Sequence, residues 1–260
     1  MTGSRLAGKV ALVTGASSGL GEAIAHGYAA EGAMVALCGR RASEGETVAA
    51  KIRSEGGDAA FFTCDVAESG QVEALVAAVV ARYGRLDIAM NNAGVGAAGA
   101  KLAEIADEEF DRVLATNLRG VWLCMKHEIR QLLRQKGGGS IINMGSVLGH
   151  VSISPKSEYS VAHYVAAKHA IEGLTRTGAA DYGQQGIRVN TLAPGIVATA
   201  ISDQLITDEA PLISRWRDRT PLNRLASVAD VVGAAVFLAS DEAKYISGTS
   251  LVVDGGYLAQ

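Results

Sequence analysis

Cysteine is scarce, three in 260 residues, and Cys38, Cys64 and Cys124 stand far apart with no C-x-x-C spacing. An odd, dispersed set supports neither a disulfide framework nor a thiolate metal centre. Cys38 and Cys64 fall in apolar runs and read as small strand residues. The five histidines are equally scattered, without a ligand pair beside a suitable carboxylate, so no metal is expected. Long hydrophobic runs are missing: no stretch reaches the ~18 apolar residues of a membrane span, and residues 1–9 lack a signal-peptide core. The expectation is a cytoplasmic protein with no membrane partner. Neither sign of charge prevails, with 24 Lys and Arg against 27 Asp and Glu and a net charge of -3. Without a basic run, nucleic acid is not expected as a partner.

What is present is glycine, 31 residues, in a chain 48% hydrophobic and 20% charged, which fits one soluble α/β domain. Short apolar runs at 9–14, 34–38, 59–64, 86–90, 140–144, 188–192 and 250–253 have the length and near-continuous hydrophobicity of strands buried on both faces. Between them, 19–30, 42–55, 71–83, 107–135, 164–182 and 227–240 read as helices; residues 147–163 look loop-like, and 200–222 irregular and partly helical. This alternation predicts one doubly wound parallel seven-stranded sheet of the Rossmann type, helices on both faces, spanning 1–260 as a single domain. Candidate sites then gather at the carboxyl ends of the strands.

The first strand runs into Thr14-Gly15-Ala16-Ser17-Ser18-Gly19-Leu20-Gly21 and then a helix. Glycines there permit φ > 0 and close approach of a pyrophosphate, and the free N–H groups of the helix start attract it. The spacing G-x-x-x-G-x-G departs from G-x-G-x-x-G, and a ligand-free turn is the alternative. After the second strand come Gly39-Arg40-Arg41, two cations and no carboxylate where a ribose would sit. They suit a 2′-phosphate, or else they are a solvated helix start. Asp65, beside Val66, either accepts from an adenine amino group or caps the next helix. Asn91-Asn92-Ala93-Gly94 reads as a glycine turn for a flat cofactor to pass, or a structural asparagine turn. Asn117, in the middle of a predicted helix, either faces a polar cavity or spends its bonds on backbone and water.

Tyr164 and Lys168, four apart on a helix, project from one face. A free phenol titrates near ~10, and one cation about 4 Å away supplies on the order of 4 kcal/mol at an effective dielectric of ~20, enough to bring it near neutrality. An amphipathic helix with no chemistry is the alternative.

Together these motifs, in this order and over most of the chain, resemble the short-chain dehydrogenases/reductases of single-domain type. The resemblance implies an oxidoreductase interconverting a ketone and a secondary alcohol, with Asn117, Ser146, Tyr164 and Lys168 as catalytic tetrad. It implies cofactor contacts at Gly15, Ser17, Ser18, Gly19, Leu20, Asp65, Val66, Asn92, Gly94, Tyr164, Lys168, Pro194, Gly195, Ile196, Val197 and Thr199. Arg40 and Arg41 favour NADP(H) over NAD(H), with an NAD-dependent alcohol or sugar dehydrogenase, or a non-catalytic cofactor sensor, as alternatives. It also implies a small-molecule carbonyl or alcohol substrate and a homotetramer. Gly145 stands where the family often has a second serine. The loop between Ser146 and Tyr164 is longer than usual, with Tyr159 a pocket candidate. The apolar residues of the three segments about the pocket favour a medium-sized, partly hydrophobic carbonyl.

Overall fold

The computed structural model describes residues 4–152, 160–198 and 210–260. Its centre is a parallel seven-stranded sheet in the order β3-β2-β1-β4-β5-β6-β7, built from β1 Val10–Thr14, β2 Met34–Gly39, β3 Asp58–Thr63, β4 Ile88–Asn91, β5 Gly139–Met144, β6 Ile187–Pro194 and β7 Ser250–Val253. Every β1 residue is buried, which is why that segment shows no polar alternation. The order reverses direction between β1 and β4, so a crevice opens at their carboxyl ends.

On one face lie α1 Gly19–Ala30, α2 Ala42–Ser54 and, late in the chain, Val228–Ala239; on the other lie α3 Ser69–Tyr83, α5 Val121–Gln135 and α6 Ala162–Tyr182. Numbered in chain order, the remaining helices are α4 Asp107–Leu114 and α7 Ala210–Asp218, so Val228–Ala239 is α8. α1 and α8 pack closely because Gly27 lacks a Cβ: one built there would stand 2.4 Å from Val232 Cγ1. The α8 start is a reciprocal capping box between Ser227 and Asp230.

Three boundaries differ from expectation in ways that matter. Residues 107–135 are not one helix: α4 opens into a π-turn, Ala115–Gly120, before α5. Asn91 is the last residue of β4 and not part of a turn. The stretch after Ser146 begins with a 3-10 turn, Val147–Gly149, and α6 starts at Ala162. Tyr159 and Thr199 lie outside the described residues.

Candidate active site

The glycine turn between β1 and α1 holds Gly15 at φ +66° and Gly19 at φ +61°, conformations that glycine adopts without cost. Close approach is required as well: a Cβ at Gly21 would stand 2.4 Å from Gly15 O. Ser18 is the N-cap of α1, yet its side chain makes no cap bond, which leaves first-turn N–H groups for an anion. Asn92 closes the turn from the β4 side, its Nδ2 donating to Thr14 O at 3.0 Å and Gly15 O at 3.3 Å. It thereby braces the turn from the side and also lines the cleft.

Arg41 is bound into the same turn, its guanidinium donating to Ser17 Oγ at 3.0 Å and Ser18 Oγ at 2.5 Å. Arg40 lies 3.8 Å from Asp65. Asp65 does not cap α3, whose N-cap is Glu68; its Oδ1 instead accepts from Ala67 N at 3.0 Å in a local turn.

All the sequence-identified site residues among those described, save Ile196, line one cleft of about 390 Å³, from Gly15 and Arg40 at one end to Ser146, Tyr164 and Lys168 at the other. Ile196 lines a smaller neighbouring cavity of about 160 Å³ with Trp216 and Tyr257. The glycine conformations, the uncapped helix start and the two cations fit a dinucleotide with an anionic end.

At the inner end of the cleft, Lys168 is 5% exposed and Ser146 9%. Lys168 Nζ donates to Met144 O at 2.6 Å and stands 5.4 Å from the Tyr164 ring centroid. Ser146 caps the 3-10 turn by accepting from Leu148 N at 3.1 Å, and it lines the cleft beside Tyr164. Burial pushes the Tyr164 phenol up to about 12, with Ser146 acting the other way. Burial likewise brings the Lys168 ammonium down to about 8. The expectation that Lys168 lowers the phenol toward neutrality therefore fails in this state: its charge is turned to a carbonyl, and desolvation governs both groups.

Asn117 sits in the π-turn, and its amide is committed to one residue, accepting from Val95 N at 2.8 Å and donating to Val95 O at 2.9 Å. It thereby pins the segment after Gly94. Glu109 and Arg112, which sequence reasoning missed, hold the next residues: Glu109 accepts from Ala98 N at 2.9 Å and Arg112 donates to Gly96 O at 2.8 Å. The Arg112 bond holds the Glu109 carboxyl down at about 2. An i,i+3 Glu–Arg pair was visible in the sequence, but such pairs ordinarily belong to solvated faces.

The three cysteines, dispersed in sequence, join one hydrophobic cluster beside the Arg40 end of the cleft. All three are buried and free.

Gly145 is explained by its neighbour, since a Cβ there would stand 2.4 Å from Thr191 Cγ2. Gly145→Ser is expected to destabilise the fold by about 1–3 kcal/mol through overpacking. Adding Thr191→Ser, which removes the methyl and keeps the hydroxyl, is expected to restore most of it. Urea denaturation midpoints check both, and no recovery in the double variant would mean that the crowding lies elsewhere.

Comparison with known proteins adds a second line. A family model described as enoyl-(acyl carrier protein) reductase matches residues 15–258. The 2,5-dichloro-2,5-cyclohexadiene-1,4-diol dehydrogenase of Sphingobium indicum is 41% identical over 256 residues, 98% of this chain and 99% of that one. The D-threitol dehydrogenase of Mycolicibacterium smegmatis is 40% identical over 253 residues, 97% and 94% of the two chains. A gluconate 5-dehydrogenase from Burkholderia cenocepacia, solved in complex with NADP and tartrate, superimposes with a TM-score of 0.92 at 33% identity, covering 100% of this chain and 98% of its own.

Proposed function

The chain belongs to the short-chain dehydrogenase/reductase family and is an NAD(P)-dependent oxidoreductase of CH–OH groups; on that premise we propose that it interconverts a ketone and a secondary alcohol with NADP(H), using Tyr164 as acid/base. The observation that carries this reading is the gathering of Ser146, Tyr164 and Lys168 at the inner end of a cleft whose outer end holds Arg40 and Arg41.

When bound, the nicotinamide cofactor supplies or accepts the hydride. The residues of the chain do the rest. Ser146 orients the substrate oxygen by hydrogen bonding, and Tyr164 gives its phenol proton to that oxygen in reduction and takes it back in oxidation. Lys168, a cation buried beside them, stabilises the phenolate that oxidation requires and binds ribose hydroxyls. Ser17, Ser18, Gly19 and Leu20 would hold the phosphates, Asp65 and Val66 the adenine, and Pro194, Gly195 and Val197 the nicotinamide end. Arg41, already fixed by two hydroxyls of the phosphate turn, favours a 2′-phosphate beside it.

For the substrate we read a compact, uncharged, partly apolar ketone or alcohol. Val147, Leu148, Val161, Trp216 and Tyr257 form a buried cluster against which Tyr164 packs, and the Trp216 and Tyr257 rings stack at 4.4 Å. The exposed Phe110, Trp122 and Leu133 would suit contacts within the homotetramer that the family resemblance implies.

Steady-state rates with NADPH and with NADH, over cyclic ketones, open-chain ketones and polyols, test this reading. The expected result is turnover of small cyclic or open-chain ketones with NADPH preferred. Equal or better use of NADH would overturn the cofactor assignment. No turnover with either cofactor, together with retained binding, would favour a cofactor sensor.

A further inference from the structure

Five polar side chains form a line through the interior just behind the strand ends. Glu128 on α5, Asn91 on β4, Asn143 on β5, Thr175 on α6 and Thr191 on β6 are each no more than 1% exposed. Asn91 Nδ2 donates to Glu128 Oε2 and to Asn143 Oδ1, both at 3.0 Å. Asn143 Nδ2 donates onward to Thr175 Oγ1 at 3.0 Å and to Met125 Sδ at 3.4 Å, and Thr191 Oγ1 donates to Thr175 Oγ1 at 2.9 Å. The bond network fixes both amides, because turning Asn91 over would set its oxygen against Asn143 Oδ1 and a carboxylate oxygen.

Two atoms at its Glu128 end are left over. Asn91 Oδ1 and Glu128 Oε1 are both buried and both lack a hydrogen-bond partner. Each belongs to a group already joined to the other through Nδ2 and Oε2. With an ionised carboxylate both orphan atoms are acceptors, and a buried acceptor left without a donor is destabilising. A single proton on Oε1 satisfies both at once.

We propose that Glu128 is a neutral carboxylic acid whose Oε1–H donates to Asn91 Oδ1, closing a two-bond acid–amide pair that positions the ends of β4 and β5. Asn91 directly precedes Asn92, which closes the glycine turn. Asn143 precedes Met144, whose carbonyl receives Lys168. This positioning role rests on the hydride-transfer reading above; the protonation does not.

The surroundings favour the neutral form. Burial pushes the Glu128 carboxyl up to about 8, with the Asn91 bond acting weakly against it. Cys124, one turn earlier on α5, is the titratable neighbour, and its thiol is itself pushed up by burial and by Glu128. On this side α3 packs Val72, Leu75 and Val76 with Leu123 and Cys124; β4, β5 and α6 contribute the uncharged Asn91, Asn143 and Thr175. Of the charged groups of α6, Lys168 is given to Met144 O and Glu172 accepts from Ser250. Among the described residues no cation pairs with Glu128.

Glutamine reproduces the protonated acid: its Nε2 donates to Asn91 Oδ1 while its Oε1 accepts from Asn91 Nδ2. A carboxyl whose folded value lies above its unfolded one stabilises the fold at low pH and loses that contribution as pH rises from about 4.5 through about 8. The test compares wild type, Glu128→Gln and Glu128→Leu by urea denaturation from about pH 5 to about pH 9, and follows the infrared carbonyl stretch of a protonated carboxyl in heavy water. The wild-type midpoint is expected to fall with pH, the Gln variant to hold level and exceed wild type at the alkaline end, and the Leu variant to be low throughout. The carbonyl band is expected in wild type at about pH 6, fading toward pH 9, and to be absent in Glu128→Gln. NADPH affinity is expected to follow the same order, with Gln restoring what Leu loses. A wild-type protein without the band at about pH 6, or a Gln variant as destabilised as Leu, would overturn the proposal. The band is read on wild type alone, so it decides even where a variant does not fold. Failure of the hydride-transfer reading would appear separately, as wild type that binds no NADPH while band and midpoints behave as stated.

Discussion

Tyr164→Phe is expected to lower the rate of carbonyl reduction by roughly 10²–10⁴-fold, the range that a positioned proton donor contributes, while leaving NADPH affinity within about threefold of wild type. The substitution removes one oxygen and preserves a ring that packs against the Val147, Leu148 and Trp216 cluster. Folding and cofactor binding should therefore survive. In the free site the phenol stays protonated up to about 12, so reduction, which needs the O–H, should be nearly level across neutral pH. Oxidation needs the phenolate, so its rate should climb with pH by up to about tenfold per unit until another step limits it. Lys168, brought down to about 8, loses its charge within that climb, and the curve should bend there. Steady-state rates in both directions from about pH 6 to about pH 10 check the pattern. A Phe variant retaining a tenth or more of wild-type activity would remove Tyr164 from the acid/base role.

The second large effect concerns the two arginines. Replacing both Arg40 and Arg41 by Ala is expected to lower kcat/KM with NADPH by roughly 10²–10³-fold and to leave NADH use unchanged or improved. Charged hydrogen bonds to phosphate are worth about 1.5–3 kcal/mol each, which sets the scale. Of the single variants, Arg41→Ala should cost more, because its guanidinium is already fixed by Ser17 and Ser18, whereas Arg40 is shared with Asp65 at 3.8 Å. The NADPH loss should shrink as salt is raised, since exposed charges are screened. Equal losses with both cofactors would mean that the arginines support the turn itself and do not select a 2′-phosphate.

The sheet was legible because buried parallel strands are written as short apolar runs, and each run recurs in the structure to within two residues. The cleft was legible because its parts stand at strand ends in a fixed order. What escaped depends on depth and direction, which spacing does not encode. Tyr164 and Lys168 do share a helix face, but the direction of the Lys168 ammonium, toward Met144 O, belongs to the end of β5. The cost of burying both groups was likewise invisible in one dimension. Glu128 did leave a trace, as a carboxylate four residues after Cys124 on the stripe that also carries Leu123 and Leu132. Its meaning depends on Asn91 and Asn143, which only the sheet brings alongside. The break at Ala115–Gly120 was missed because a π-turn interrupts a helix without a proline; its cues were three poor helix formers close together, Thr116, Asn117 and Gly120.

That break also works as a length buffer. A π-turn holds one residue more than the α-helical path it replaces, so α4 and α5 keep the facing that one unbroken helix would give them. Deleting a single residue within Ala115–Gly120 would close the turn to regular helix and leave Trp122 half-exposed and Glu128 beside Asn91. The loss would be local, in the turn that carries the Asn117 amide to Val95. Within α5 itself there is no spare residue to give up, and because each helical residue advances the chain by about 100°, a one-residue deletion there would roll every later side chain around the axis by that angle.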